Sequence, residues 1–181
     1  MIYNRLPLND AYEIRPEKID DERGFFSRYF CKDDFKENGL NYNVNQINNS
    51  YNLKIGTLRG LHFQYSPKGE VKIIRCINGS IWDVMVDVRL NSSTYGKWYG
   101  KELNDENRLM LYIPCGFAHG FISLTDHTEI IYLSNQNFSP NHEGGLHWND
   151  SFHNIHWPMD PTIISNKDDN IEEWSDIRAY V

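Results

Sequence analysis

Two of the seven histidines stand in patterned surroundings. His62 opens His62-Phe63-Gln64, and His119 closes Pro114-Cys115-Gly116-Phe117-Ala118-His119, a P-x-G-x-x-H pattern. The proline and glycine of that pattern mark a turn, which would place His119 just after it. Paired imidazoles could hold a first-row metal, but that needs three or four convergent N, O or S ligands. Gln64 stands where an H-x-H would place the second upstream histidine. No metal is therefore expected, and metal catalysis on His62 and His119 is kept only as a rival reading. Cys31, Cys76 and Cys115 are odd in number and far apart, so they read as reduced thiols and small buried hydrophobes.

Strands must position these groups. Val71–Ile77, Asn78-Gly79 and Ser80–Arg89 read as a two-residue hairpin, because Asn-Gly between β-rich runs favours a type I′ turn. Trp82, Val84, Val86 and Val88 then share one face, expected to be the core, and Asp83, Met85 and Asp87 share the other. With that turn Ile77 pairs with Ser80 and Ile74 with Asp83, which sets Lys72 one diagonal step from Asp83 on a common face. Further strands are expected at Leu58–Gln64, Trp98–Leu103, Arg108–Ile113, Gly120–Leu124 and Thr128–Leu133. Helix signals are sparse. Lys32–Asn38 is closed by Gly39, and Ser165-Asn166-Lys167-Asp168 resembles a capping box ahead of Ile171–Trp174. Many short strands at this spacing predict an all-β fold, an antiparallel jelly roll with short peripheral helices.

The 181 residues (21.4 kDa) fit one domain spanning 1–181, with no repeat or linker to divide them. A net charge of −7 argues against a sequence-tolerant nucleic-acid binder, which needs clustered cations. It leaves room for a nucleotide, since two or three arginines can hold a diphosphate. Apolar runs of only a few residues predict no membrane span, and the N-terminus shows no secretory signal, so the expected location is the cytoplasm. Aromatic residues make up 14% of the chain, which suits both strands and sugar or nucleotide pockets.

Asp21-Glu22-Arg23-Gly24-Phe25-Phe26, Arg59-Gly60-Leu61-His62-Phe63-Gln64 and Ile113–Phe121 resemble the dTDP-4-dehydrorhamnose 3,5-epimerase family, cupin-like sugar-nucleotide epimerases. Trp148-Asn149-Asp150 and Trp157-Pro158 extend the likeness, in order, over most of the chain. The resemblance implies cofactor-free, metal-free inversion at carbons flanking the ketone of a nucleotide-linked 4-keto-sugar, by a homodimer.

That chemistry has its own demands. A proton α to a ketone lies on the order of 12 pKa units, roughly 16 kcal/mol, beyond the reach of an imidazole. A base alone fails, so the enolate oxygen needs stabilisation, and inversion needs an acid on the opposite face. By similarity His62 matches the family base, Asp168 the carboxylate that orients it, Lys72 the enolate-stabilising cation and Tyr132 the opposed acid. Asp83, beside Lys72 in the hairpin reading, would hold that ammonium in place. Arg23 and Arg59 match phosphate-side arginines. Phe26, Gln46 and Asn48 match positions near the nucleotide or sugar, and His119 the histidine lining the sugar pocket.

One run departs from the family. Where its members carry tyrosines in Y-Y-x-P, this chain has Asn137-Phe138-Ser139-Pro140. Phe138 can still stack on a base, but two hydroxyls are gone, and Asn49 replaces a usual histidine. A GDP-linked 4-keto-heptose in capsule biosynthesis is accordingly an alternative to the dTDP-linked deoxysugar. A non-catalytic sugar-nucleotide binding module is the remaining rival, although binding alone needs neither a base nor an opposed acid.

Overall fold

The computed structural model describes residues 1–40, 42–175 and 179–180. Fourteen strands lie among the described residues, starting with β1 (Ile2–Arg5), β2 (Tyr12–Arg15), β3 (Lys18–Asp21) and β4 (Gly24–Ser27). A short helix α1 (Lys32–Glu37) leads into β5 (Gln46–Asn52), β6 (Thr57–Gln64), β7 (Lys72–Asn78) and β8 (Ser80–Asp87). Next come β9 (Trp98–Asn104), β10 (Met110–Ile113), β11 (Phe117–Ser123) and β12 (Thr128–Ser134). The chain finishes with β13 (Glu143–Gly145), β14 (Ile163–Ile164) and a single turn of helix, α2 (Asn166–Asp169).

One antiparallel sheet runs β1-β2-β10-β7-β12-β5. The other runs β13-β6-β11-β8-β9, with β14 parallel to the free half of β6. Ile74, Leu111 and Ile130 of the first sheet pack on Ile81, Met85, Leu103 and Phe121 of the second, closing a jelly roll. The outer faces are covered too. Phe35, Leu40 and Tyr42 lie over Ile14, Ile73 and Met110 of the first sheet. The C-terminal stretch lays Leu146, Trp148, Trp157 and Trp174 over Leu61, Phe63, Val84 and Val86 of the second.

The expected hairpin is not one. β7 pairs with β10 and β12, whereas β8 pairs with β11 and β9, so Asn78-Gly79 carries the chain from one sheet to the other. A type I′ turn needs left-handed backbone at both central residues. Only Gly79 has it (φ +75°), while Asn78 lends its side-chain amide to the His127 carbonyl at 2.6 Å. The face assignment shifts as well. Val84, Val86 and Val88 are buried, but under the C-terminal stretch, and Ile81 and Met85 face the inter-sheet core. Two covered faces defeat a period-two reading, because both alternating sets are buried.

The strands expected between residues 58 and 133 all form, with ends differing by up to three residues. The α1 helix ends as expected, with Gly39 at φ +78°. Ser165 caps α2, accepting the Asp168 N–H at 3.1 Å, but the helix stops at Asp169. Ile171–Trp174 is irregular instead, and Trp174 meets the rings of Phe63 and His153.

Candidate active site

Strand β6 sets His62 opposite His119 of β11 and Gly145 of β13. The register shifts just past His119, where Gly60 sits at φ +102°. A Cβ on Gly60 would stand 2.6 Å from the His119 carbonyl oxygen, so only glycine permits this approach of β6 and β11. Beyond the bulge both histidines face a cavity of about 610 Å³ between the sheets, also lined by Arg59, Lys72, Tyr132 and Asp168. That volume suits a small ligand.

Nε2 of His62 lies 2.7 Å from Oδ1 of Asp168, which α2 brings to the cavity mouth. The other oxygen accepts the Gly60 N–H at 3.1 Å. Burial alone would raise the Asp168 carboxyl. The hydrogen bond and charge of His62, with the Gly60 N–H and Ser165, hold it below the usual carboxylate range instead. An ionised Asp168 accepts a hydrogen bond from the Nε2–H of His62, the tautomer that leaves the lone pair on Nδ1.

A second imidazole–carboxylate pair lies deeper, with Nε2 of His119 at 2.8 Å from Oδ2 of Asp83. Burial pushes the fully buried Asp83 carboxyl up, against the pull of His119 and Lys72. The expected Asp83–Lys72 pairing is replaced, because β7 and β8 belong to different sheets. Nζ of Lys72 instead meets Oε1 of Glu70 at 3.0 Å and donates to the His62 carbonyl at 3.4 Å. Asp83 reaches Lys72 only through longer-range attraction.

Tyr132 enters from β12, in the opposite sheet from His62. Burial raises its phenol, helped by the charge of Glu70 and opposed by that of Arg59, so at neutral pH it is a proton donor. Arg59 donates to Asn52 Oδ1 at 2.7 Å and to the Tyr51 carbonyl at 3.3 Å, which fixes its guanidinium at the cavity wall.

An adjoining cavity of about 310 Å³ shares His62, Lys72 and Tyr132, and adds Gln46, Asn48, Gln64 and Phe138. Gln46 accepts the Phe138 N–H at 3.1 Å, and Gln64 accepts that of Ser139 at 2.6 Å. Gln64 is therefore a clasp for the 137–139 loop, and Phe138 is held with its ring exposed. Among the described residues no group of three or more His, Cys, Asp or Glu is arranged to hold a metal.

Arg23 and Phe26 do not join them. Both sit on the separate β3–β4 hairpin, outside the linings of the two cavities, with Arg23 paired to Asp21 and Phe26 61% exposed. The sequence reading also missed residues that do line the site. Glu70 lies two residues before Lys72, and Glu143 and Lys167 form an ion pair at 2.6 Å on the cavity wall. Lys167 lay inside the recognised cap segment. Glu70, in an irregular connection, and Glu143, opening the three-residue strand β13, carried no signal.

Residues 5–176 match the family profile described as dTDP-4-dehydrorhamnose 3,5-epimerase. The chain belongs to that family. A curated member from Sinorhizobium fredii is 43% identical over 169 residues, covering 93% of this chain and 87% of that protein. One from Methanothermobacter thermautotrophicus is 44% identical over 174 residues, covering 94% and 91%. Among solved structures, the family member from Elizabethkingia anophelis superposes with a TM-score of 0.94 at 40% identity, covering 98% of each chain. The Bacillus anthracis epimerase, solved with TDP and PPi bound, gives 0.93 at 37% identity, covering 96% of this chain and 99% of that one. As a family member the chain is an isomerase with the cupin-like jelly roll.

Proposed function

We propose that this isomerase inverts carbons flanking the ketone of a dTDP-linked 4-keto-6-deoxyhexose, using its own side chains as acid and base. His62, oriented by Asp168, takes the α-proton on Nδ1. The bonding pair moves onto the ketone oxygen, where the Lys72 ammonium stabilises the enolate. The Tyr132 hydroxyl returns a proton to the same carbon from the opposite face and regains its own from solvent, to which His62 releases the proton it took. Arg59 meets the diphosphate, Phe138 stacks on the base, and His119 with Asp83 lines the sugar end.

The observation that carries this reading is that His62 and Tyr132 line one cavity from opposite sheets, with Lys72 on the same lining. A binding module has no need of that opposition. Proton NMR of dTDP-4-keto-6-deoxyglucose in D2O tests it. The expected result is loss of the C3 and C5 proton signals with the wild-type enzyme and not with His62→Asn. Retention of both signals with the wild type overturns the reading. Asn137 and Phe138, which lack the family hydroxyls, favour one second reading, a GDP-linked 4-keto-sugar. Faster exchange of that substrate would establish it.

The proposal includes a cytoplasmic homodimer. Three free thiols support a reducing compartment, and no described helix is long and apolar enough to cross a membrane. The edge strand β5 turns Ile47 (66% exposed) and Tyr51 outward, a surface suited to a second copy. Such a copy would let Arg23 and Phe26 serve the partner's cavity. Sedimentation of the protein and of its Ile47→Lys variant tests this, and a wild-type monomer overturns it.

A further inference from the structure

We propose that Glu70 is a positioning residue for the isomerisation, holding the Lys72 ammonium and the end of β12 in one arrangement. The inference rests on the roles proposed above for Lys72 and Tyr132.

Glu70 sits just ahead of β7 and spends both carboxylate oxygens inside the site. Oε1 is 3.0 Å from Nζ of Lys72, and Oε2 accepts the Ser134 hydroxyl at 2.9 Å. Lys72 and Ser134 are cross-strand partners in the β7–β12 ladder. Tyr132, two residues before Ser134, faces the same side. One carboxylate thus ties the cation to the strand that carries the acid.

An ammonium has three N–H donors. One goes to Glu70, a second to the His62 carbonyl, and the third is left for a ketone oxygen in the cavity. Lysine is a flexible chain with a strongly hydrated head. A donor stabilises an enolate most when it is aimed before the reaction begins. Glu70 supplies that aim, because Asp83, the other nearby acid, is engaged with His119. A largely buried ion pair is also a poor device for stability alone, since desolvation consumes most of its attraction. Its charge reaches across the site as well, helping to keep the Tyr132 phenol protonated.

The test compares Glu70→Gln and Glu70→Asp with the wild type in steady-state turnover, α-proton exchange and dTDP binding. For Glu70→Gln the expected kcat is about 100-fold lower, with KM and the dTDP Kd within about twofold of wild type. The alkaline limb of kcat should move to lower pH, because the Tyr132 phenol loses a neighbouring negative charge that helps to keep it protonated. Glu70→Asp keeps the charge but shortens its reach, so kcat falls while the limb stays in place. Wild-type kcat and an unmoved limb in Glu70→Gln overturn the inference. If Glu70→Gln fails to bind dTDP, Glu70→Asp decides: depressed kcat with an unmoved limb supports the inference, and wild-type kcat overturns it. Wild-type enzyme that exchanges no α-proton overturns the proposed reaction itself, a different result.

Discussion

Asp168 and His62 meet at 2.7 Å although 106 residues separate them in the chain. The contact requires β14 to lie along β6, so that the cap at Ser165 delivers the carboxylate beside the imidazole. The same Asp168 also accepts the N–H of Gly60, two residues from His62 on the same strand.

Replacing Asp168 with Asn should reduce kcat on the order of 100-fold, because the amide no longer fixes the imidazole tautomer. It should also change stability against pH. The folded Asp168 carboxyl titrates below its unfolded value, so its contribution is complete above about pH 4 and is lost as pH falls through the folded value. Urea unfolding at a series of pH values from neutral downward should show a shallower acid loss in Asp168→Asn than in wild type. Parallel curves would count against the depressed carboxyl.

Tyr132→Phe should separate the two halves of the reaction. His62 would still remove and return a proton on its own face, so deuterium enters the substrate. Inversion should fall by about 100- to 10,000-fold without the opposed donor. NMR of the recovered sugar reads both quantities at once, and inversion at the wild-type rate would remove Tyr132 from the mechanism.

Phe138→Ala should weaken dTDP binding about tenfold, the size of one lost base–aromatic contact, while sparing kcat. Calorimetric titration with dTDP checks the first part. Unchanged affinity would move the base away from the adjoining cavity.

Gly60→Ala should destabilise the fold by about 2 kcal/mol or more, since a side chain is strained in this left-handed backbone and the added carbon meets β11. The urea midpoint measures it. A wild-type midpoint would mean that β6 and β11 can separate freely.

Much of this was legible beforehand where strands alternate under ordinary rules. β6, β9, β11 and β12 were found because valine, isoleucine, aromatic residues and turn glycines agree with one another there. β5 was missed for a physical reason. Its inward residues Gln46, Asn48 and Ser50 are polar because they face cavities, while Ile47 and Tyr51 point outward, which inverts the usual pattern. The Asn78-Gly79 corner misled because a local turn signal does not report which sheet the next strand joins. That error carried the wrong acid to Lys72. The residues proposed as base, orienting carboxylate, cation and acid were each legible only through resemblance, and their convergence on one cavity came from topology that no local window contains.

The proposed base and acid belong to separate walls, and among the described residues nothing covalent nearby fixes the gap between them. The aliphatic and aromatic layer of Ile74, Met85, Phe121 and Ile130 does so, like the shim between the jaws of a calliper. Facing sheets stand about 10 Å apart at a thickness dictated by such side chains. Core volume is thereby expected to bear on the stereochemistry of the proposed reaction. Thinning the layer, as in Met85→Ala, should alter the ratio of wash-out to inversion before it abolishes folding, which would make a side chain outside the cavity lining one that helps to set the hand of the product.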